Sequence, residues 1–407
     1  MRYLLIIIAV IILASCVPAL EPITIPDYSS NLSGTDSLST DKLNLIEGVY
    51  LIKRGKSEFG EKAVIKQIKN GLSIFFQSNI SYSITKVGKK DNDIKIEGFW
   101  RFAVNSNIGK ISLKINQDSG AKQILNGIKS DSIYISGTFD MDGTNRKIEL
   151  QYYKPLANTD KYIIAHRGGG RNQDRLPCSE NSSEMIKYCE ILGTNSIEID
   201  VRLTSDSVPV LFHDEYLNKR LVLEDYLLGK VSDYTYKQLK SFATLKNGEK
   251  IPSLEEALEA VVNNSNLKLV WLDVKSPAAL KILAPIQKKY LELAKKKGRT
   301  LEIVLGLADA ELLDGYKQVK DYCNYTSLLE LDFNKIDIDC YSYWAPRWTL
   351  GLNDAILDEL HKRNKKAFVW TLDVPDFIST FIKKGKFDGI LSNYPSQVAY
   401  EYYSQDN

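Results

Sequence analysis

Between residues 45 and 153, apolar and polar positions alternate in short segments at 48–52, 72–76, 94–100, 111–115, 133–135 and 148–152. A period of two marks strands with one buried face. Turn residues such as Lys69-Asn70-Gly71 and Met141-Asp142-Gly143-Thr144 separate them. Strands at this spacing predict a small antiparallel all-β domain, a barrel or a sandwich, over residues 45–154. Its aromatics Tyr50, Phe76, Trp100 and Phe102 read as core. The segment holds no histidine and no cysteine. No catalysis is assigned to it, and it reads as a binding module or a spacer.

Past Pro155 the period changes. Apolar runs at 162–165, 197–201, 209–212, 269–274, 301–305, 326–331, 367–371 and 389–391 alternate with helical stretches at 182–192, 253–262, 278–297, 353–363 and 375–384. This order predicts an α/β fold, a (β/α)8 TIM barrel over residues 158–403. Residues 336–341 form a ninth strand candidate, and residues 213–251 replace the helix expected after the third run.

The chain opens with Met1-Arg2-Tyr3, an apolar run from Leu4 to Ala14, and Ser15-Cys16. Eleven apolar residues are too few to span a bilayer, which takes about 20; they suit a signal-peptide core. Leu13-Ala14-Ser15-Cys16 resembles a bacterial lipobox, which implies cleavage after residue 15, acylation of Cys16 and a lipid-anchored protein outside the cytoplasm in the bacterial cell envelope. Residues 17–44, rich in Ser, Thr, Pro and Asp, read as a flexible linker. The other cysteines, Cys178, Cys189, Cys323 and Cys340, are even in number and permit disulfides. They show no metal-binding spacing. Composition adds one exclusion: with 53 basic and 51 acidic residues and no basic run, nothing favours a nucleic-acid partner.

In such barrels, reactive groups gather where strands end. The first run ends in His166-Arg167, followed by Gly168-Gly169-Gly170, which would let backbone approach a ligand. In the second, Glu198 and Asp200 share one strand face. Two inward carboxylates are costly unless a cation or a proton neutralises them, and oxygen ligands suit Mg²⁺ or Ca²⁺. The third ends at His213, placed with His166 to act as an acid/base pair. The fourth carries Asp273 and Lys275 on one face: a third metal oxygen and a phosphate-binding cation, or a structural ion pair. His361, in a polar helical stretch, reads as surface. A dinucleotide loop is excluded by Gln173 in place of the third glycine, and a P-loop by Tyr50 ahead of Gly55-Lys56-Ser57.

Taken in order, His166-Arg167-Gly168, Glu180-Asn181, Glu198-Ile199-Asp200-Val201, His213-Asp214, residues 251–256, Asp273-Val274-Lys275, Trp370-Thr371 and residues 388–391 resemble the glycerophosphodiester phosphodiesterase family. The resemblance implies a divalent metal on Glu198, Asp200 and Asp273, with His166 and His213 as acid and base on either side of the phosphorus. It implies that Arg167 and Lys275 neutralise the phosphate, that Glu180 lies near the substrate, and that Trp370 shapes a glycerol pocket. The glycerol 2-hydroxyl would attack the phosphorus to give a cyclic phosphate, which water opens to glycerol 3-phosphate. Three departures stand out: Asp273 replaces a usual Glu, Ser179 a usual Pro, and Ser392-Asn393-Tyr394-Pro395 a usual Thr-Asp-Tyr-Pro. The expectation is therefore a metal-dependent phosphodiesterase for small glycerophosphodiesters. The alternatives are a barrel acting on intact phospholipid or a glycerol-phosphate polymer, and a non-catalytic surface binding lipoprotein.

Overall fold

The computed structural model describes residues 23–332 and 340–406. Cys16, the signal segment and residues 336–339 of the ninth strand candidate lie outside them.

The first half is a closed antiparallel barrel. Its strands are β2 (Gly48–Arg54), β3 (Lys62–Ile68), β4 (Gly71–Phe76), β5 (Ser81–Lys90), β6 (Asp93–Phe102), β7 (Ile108–Ile115), β8 (Tyr134–Met141) and β9 (Thr144–Lys154). They pair in sequence order, and β2–β9 and β5–β6 contacts close the ring. A short β1 (Asp36–Ser37) adds to β5. The sequence pattern showed neither β3 nor β5, whose polar residues interrupt the alternation. Phe59, Phe76, Trp100, Phe102 and Phe139 fill the interior with stacked and edge-on rings. This is a packed core, as the aromatics suggested.

Residues 23–44 are not a free linker. Ile23 and Leu43 are buried, β1 joins the sheet, and the backbone N–H of Ile23 donates to the carbonyl of Arg175 in the second domain. The few apolar residues in this stretch go into docking, which composition alone conceals.

The second half is a closed barrel of eight parallel strands: β10 (Tyr162–Ala165), β11 (Ser196–Leu203), β13 (Leu269–Val274), β14 (Glu302–Leu307), β15 (Ser327–Leu329), β16 (Tyr343–Trp344), β17 (Lys366–Val369) and β18 (Gly389–Ser392). Tyr162, Trp271, Val304, Leu328, Tyr343 and Phe368 fill its interior. Around it run α1 (Ser183–Tyr188), α2 (Leu254–Asn264), α3 (Pro277–Lys296), α4 (Ala310–Lys317), α5 (Asp354–Lys362), α6 (Pro375–Lys384) and α7 (Pro395–Tyr403). Local chemistry sets their starts: Ser253 and Glu256 form a reciprocal capping box for α2, and prolines open α3, α6 and α7.

The strand count needs a correction. The run at 209–212 is no barrel strand: β12 (Pro209–Leu211) turns back antiparallel on the overhanging end of β11. The missing barrel strand is β16, two residues long. A three-residue apolar run reads the same in either direction, and two residues carry no period. β13 therefore lies directly beside β11, with Asp273 in register with Asp200.

The two barrels share a core. Val49, Phe75, Tyr82 and Phe99 on the outside of the first pack with Leu192, Val398 and Ala399 of the second. Arg101, 3% exposed, reaches across to donate to the carbonyls of Asp174 and Arg175 in the β10–α1 loop.

Candidate active site

At the C-terminal end of the second barrel opens a cleft of about 420 Å³, lined by His166, Arg167, Glu198, His213, Asp273, Lys275 and Trp370 among others. Strand register assembles its floor. Glu198 and Asp200 project from one face of β11, and Asp273 stands beside Asp200 on β13. One carboxylate oxygen from each lies within 4.8 Å of the other two.

These acids are short of positive charge. Glu198 and Asp200 are 2% and 1% exposed, and Oε1 of Glu198 has no hydrogen-bond partner. Lys275 Nζ sits 2.8 Å from Asp200 Oδ1 and 2.5 Å from Asp273 Oδ2. Burial, then repulsion from Asp200 and Asp273, drives Glu198 well above the usual carboxylate range. Asp273 is raised by burial too, against the pull of Lys275. Burial opposes ionisation of Asp200 as well, but Lys275 and the two histidines outweigh it and hold it at about 2. One lysine thus faces three acids, and a buried oxygen is left over. That donor set fits a divalent cation, which Glu198, Asp200 and Asp273 would hold through hard oxygen atoms.

The two histidines are held differently. Nδ1 of His213 lies 2.6 Å from Asp214 Oδ1, and Asp214 also accepts from Asn218 and Arg220. Burial raises the Asp214 carboxyl, but Arg220, His213 and Asn218 together hold it far below the usual range. Nδ1 of His166 instead donates to the side-chain oxygen of Asn393 at 2.7 Å, and Nε2 stands 3.8 Å from Glu198. Asn393 is fixed by Asp373, which accepts from its amide nitrogen at 2.6 Å and its backbone N–H at 2.9 Å. Burial, then the Arg167 charge, lowers His166 to about 4, against the pull of Asp200. Its ring is therefore neutral at ordinary pH, with the lone pair of Nε2 towards the acids.

Arg167 lines the cleft, and its Nη1 donates to Glu180 Oε1 at 2.7 Å. Glu180 does not line it. Its side chain, 1% exposed, anchors Arg167 and Arg220 from behind and accepts from the backbone N–H of Asn172. Asn181, at φ +58°, exchanges two hydrogen bonds with Asp200. The glycine triplet serves packing and not ligand approach: a Cβ on Gly169 would fall 2.3 Å from Met185 Sδ on α1. Trp370 lines the wall, its indole N–H on the Ala345 carbonyl and the Arg347 guanidinium 4.9 Å above its ring. His361 is not a free surface group; Nε2 is 2.9 Å from Asp388 Oδ2.

Sequence reasoning missed several participants. Asp214 appeared only inside a matched motif and Asn393 only inside a departure from one, with no role attached. Trp271, 2% exposed, lines the cleft with its indole N–H unpaired. Glu330, the acid that follows β15, also lines it and is pushed up to about 8 by burial and then by Asp273. An acid closing an apolar strand was the available signal for Glu330.

Comparison with known proteins matches the half of the chain that holds this cleft. Residues 166–397 match the model of the glycerophosphoryl diester phosphodiesterase family. A glycerophosphodiester phosphodiesterase of Caldanaerobacter subterraneus is 27% identical over 244 residues, 57% of this chain and 94% of that protein. Human glycerophosphodiester phosphodiesterase 1 is 31% identical over 151 residues, 35% of this chain and 41% of that one. Among solved structures, an Oleispira antarctica phosphodiesterase in complex with the product sn-glycerol-3-phosphate aligns with TM-score 0.46 at 19% identity, covering 60% of this chain and 95% of that one.

Proposed function

Because the chain belongs to the glycerophosphoryl diester phosphodiesterase family, and is a phosphoric diester hydrolase on that ground, we propose that it cleaves small glycerophosphodiesters to glycerol 3-phosphate and an alcohol, using a divalent metal and two histidines. The observation that carries this reading is the meeting of three carboxylates, two buried and one half-buried, within 4.8 Å of one another in a cleft lined by both imidazoles.

A bound cation would supply charge to the phosphate oxygens and draw electrons from phosphorus. The rest is done by this chain's side chains. Arg167 and Lys275, both in the cleft, face a substrate's phosphate; Glu180 holds Arg167 in place through a buried contact. His166, neutral and oriented by Asn393, is the group able to take the proton from the attacking glycerol hydroxyl. His213, oriented through Nδ1 by Asp214, gives a proton to the departing alkoxide. As the P–O bond to the alcohol breaks, the electron pair leaves with that oxygen and His213 protonates it. The two rings then exchange roles while water opens the cyclic phosphate. Trp370 and Trp271 bound the space for the glycerol moiety. Mg²⁺ and Ca²⁺ are the cations this reading names, because the donor set is oxygen alone.

The lipid anchor at Cys16 and a place outside the cytoplasm belong to the same reading. The Cys323–Cys340 disulfide supports it, because such bridges persist in oxidising compartments.

The test is a hydrolysis assay of the purified full chain on glycerophosphocholine, following glycerol 3-phosphate release with added Mg²⁺ or Ca²⁺ and with chelator. Turnover with metal that chelation stops supports the proposal. Undiminished turnover after exhaustive chelation, or none on any glycerophosphodiester, overturns it.

A further inference from the structure

Eleven large apolar side chains are markedly exposed among the described residues, and eight of them fall in two groups on the second domain. Tyr216, Leu223, Tyr226, Leu228 and Phe242, 51–73% exposed, all lie in the excursion between β12 and α2. Leu350, Val374 and Phe377 follow β16 and β17. Both groups sit on the C-terminal side of the barrel, where the cleft opens. The excursion follows the second strand of the ring and the other group the sixth and seventh, so they flank the cleft from opposite sides. Single exposed apolar residues need no explanation, but a clustered set around a site marks a contact surface.

Two of the neighbouring lysines are paired. Lys219 Nζ is 3.4 Å from Asp225, and Lys230 Nζ is 2.7 Å from Glu215 while lying 5.5 Å over the Tyr216 ring. Tyrosine, leucine and phenylalanine over balanced charge are the chemistry of a membrane–water interface.

The path of the chain points the same way. It enters the described structure at Ile23, whose N–H donates to Arg175 in the loop after the first strand, again on the cleft side. Only six residues lie between Cys16 and Ile23, and the seven residue steps, fully extended, span at most about 25 Å. On the lipid-anchor reading, the acylated Cys16 is thus tethered within that reach of the loop at Arg175, on the cleft side.

We propose that this face docks on the surface of a phospholipid bilayer, with the two apolar groups dipping into the interface and the cleft mouth held against the membrane. The occupant is the bilayer itself and not a protein groove or a second copy of the chain. The proposal rests on the lipid-anchor reading for the reach of the tether, and not on the catalytic reading. Docking of this kind is driven by apolar burial and is insensitive to salt.

The experiment uses the full-length chain carrying Cys178→Ser, since Cys178 is the one partly exposed free thiol among the described residues. Single Tyr226→Cys, Val374→Cys and Ile128→Cys variants are labelled with an environment-sensitive fluorophore and reconstituted through their own anchor into phosphatidylcholine vesicles, with and without bromine-substituted acyl chains. Labels at 226 and 374 should shift to the blue and be quenched about threefold more than the label at 128, on the first barrel, at low and high salt. Equal quenching at all three positions overturns the proposal. So does a blue shift at 226 and 374 that appears in lipid-free detergent and grows with protein concentration, which would assign the face to a second copy. Failure to hydrolyse glycerophosphocholine would strike the catalytic reading alone, because quenching is read without turnover.

Discussion

Nδ1 of His166 lies 2.7 Å from the side-chain oxygen of Asn393, so the ring facing the acidic cluster is oriented by an amide and not by a carboxylate. Asn393 stands where the resemblance leads one to expect Asp. An amide fixes the tautomer of an imidazole but adds no negative charge to stabilise its protonated form. Its hydrogen bond raises the proton affinity of the ring only weakly, so burial and then Arg167 still hold His166 at about 4.

Asn393→Asp should therefore raise the proton affinity of His166. If His166 is the base, the acid limb of kcat/KM against pH moves to higher pH, because the neutral ring is lost sooner as pH falls. The sign for stability has the same origin. A histidine lowered in the folded chain contributes stability that is present above its unfolded value, near 6.5, and is lost as pH falls towards 4. In chelated protein, the stability read from denaturant midpoints should drop across that window, by about 1.4 kcal/mol per pH unit. His166→Gln should flatten the drop. An unchanged slope in that variant would remove His166 as its cause.

The acid cluster makes a prediction about metal that needs no turnover. Three acids share one lysine, so a cation that binds only the folded chain should raise the melting temperature, with about 2.7 kcal/mol gained at a hundredfold excess over its dissociation constant. Glu198→Gln removes one ligand oxygen and should abolish most of the gain from Mg²⁺ or Ca²⁺ in a thermal scan. Equal gains in both proteins would place the binding site elsewhere.

Lys275→Met tests the same charges from the other side. Without Lys275, Asp200 and Asp273 lose their contact cation, and breaking a buried pair typically costs about 3–5 kcal/mol. The loss should be largest in chelated protein near neutral pH and smaller below about pH 4, where carboxyls protonate. A chemical-denaturation series at two pH values, with and without Mg²⁺, reads both differences. Equal losses under all four conditions would mean that the lysine acts through packing alone.

Much of this site was legible because strand alternation and strand order act together. Glu198 and Asp200 had to share a face, and Asp273 and Lys275 had to share another, whatever the strand count. What made the cluster, the register of Asp200 with Asp273, was hidden by a miscounted strand: β12 mimics a barrel strand, and β16 is too short to show a period. The partners of the histidines were hidden for another reason. Asp214 and Asn393 are polar residues in loops, and their value comes from the tertiary position of a ring that no local pattern encodes. Glu180 was assigned to substrate by resemblance, while burial and two arginines make it a support. The docking of residues 23–44 was missed because a polar composition says nothing about the few apolar anchors within it.

The last prediction concerns the first barrel, which carries no group that lines the cleft yet touches the loop behind it. Arg101 on β6 is buried and donates to the carbonyls of Asp174 and Arg175 at 3.0 and 3.2 Å. That loop continues to Glu180, which holds Arg167, and to Asn181, which holds Asp200. Hydrogen bonds from a charged donor are worth about 1.5–3 kcal/mol, and losing these would leave the Asp174 carbonyl unpaired between the domains and the Arg175 carbonyl with Ile23 alone. Arg101→Met keeps the length and apolar stem of the side chain, so the barrel should remain folded while the loop gains freedom. Amide exchange should quicken across residues 172–181 by about ten- to a hundredfold, matching that energy. Exchange in β2 and β9, distant from the contact, should stay as it was. Uniform acceleration throughout the first barrel would show instead that Arg101 supports its own domain and not the loop.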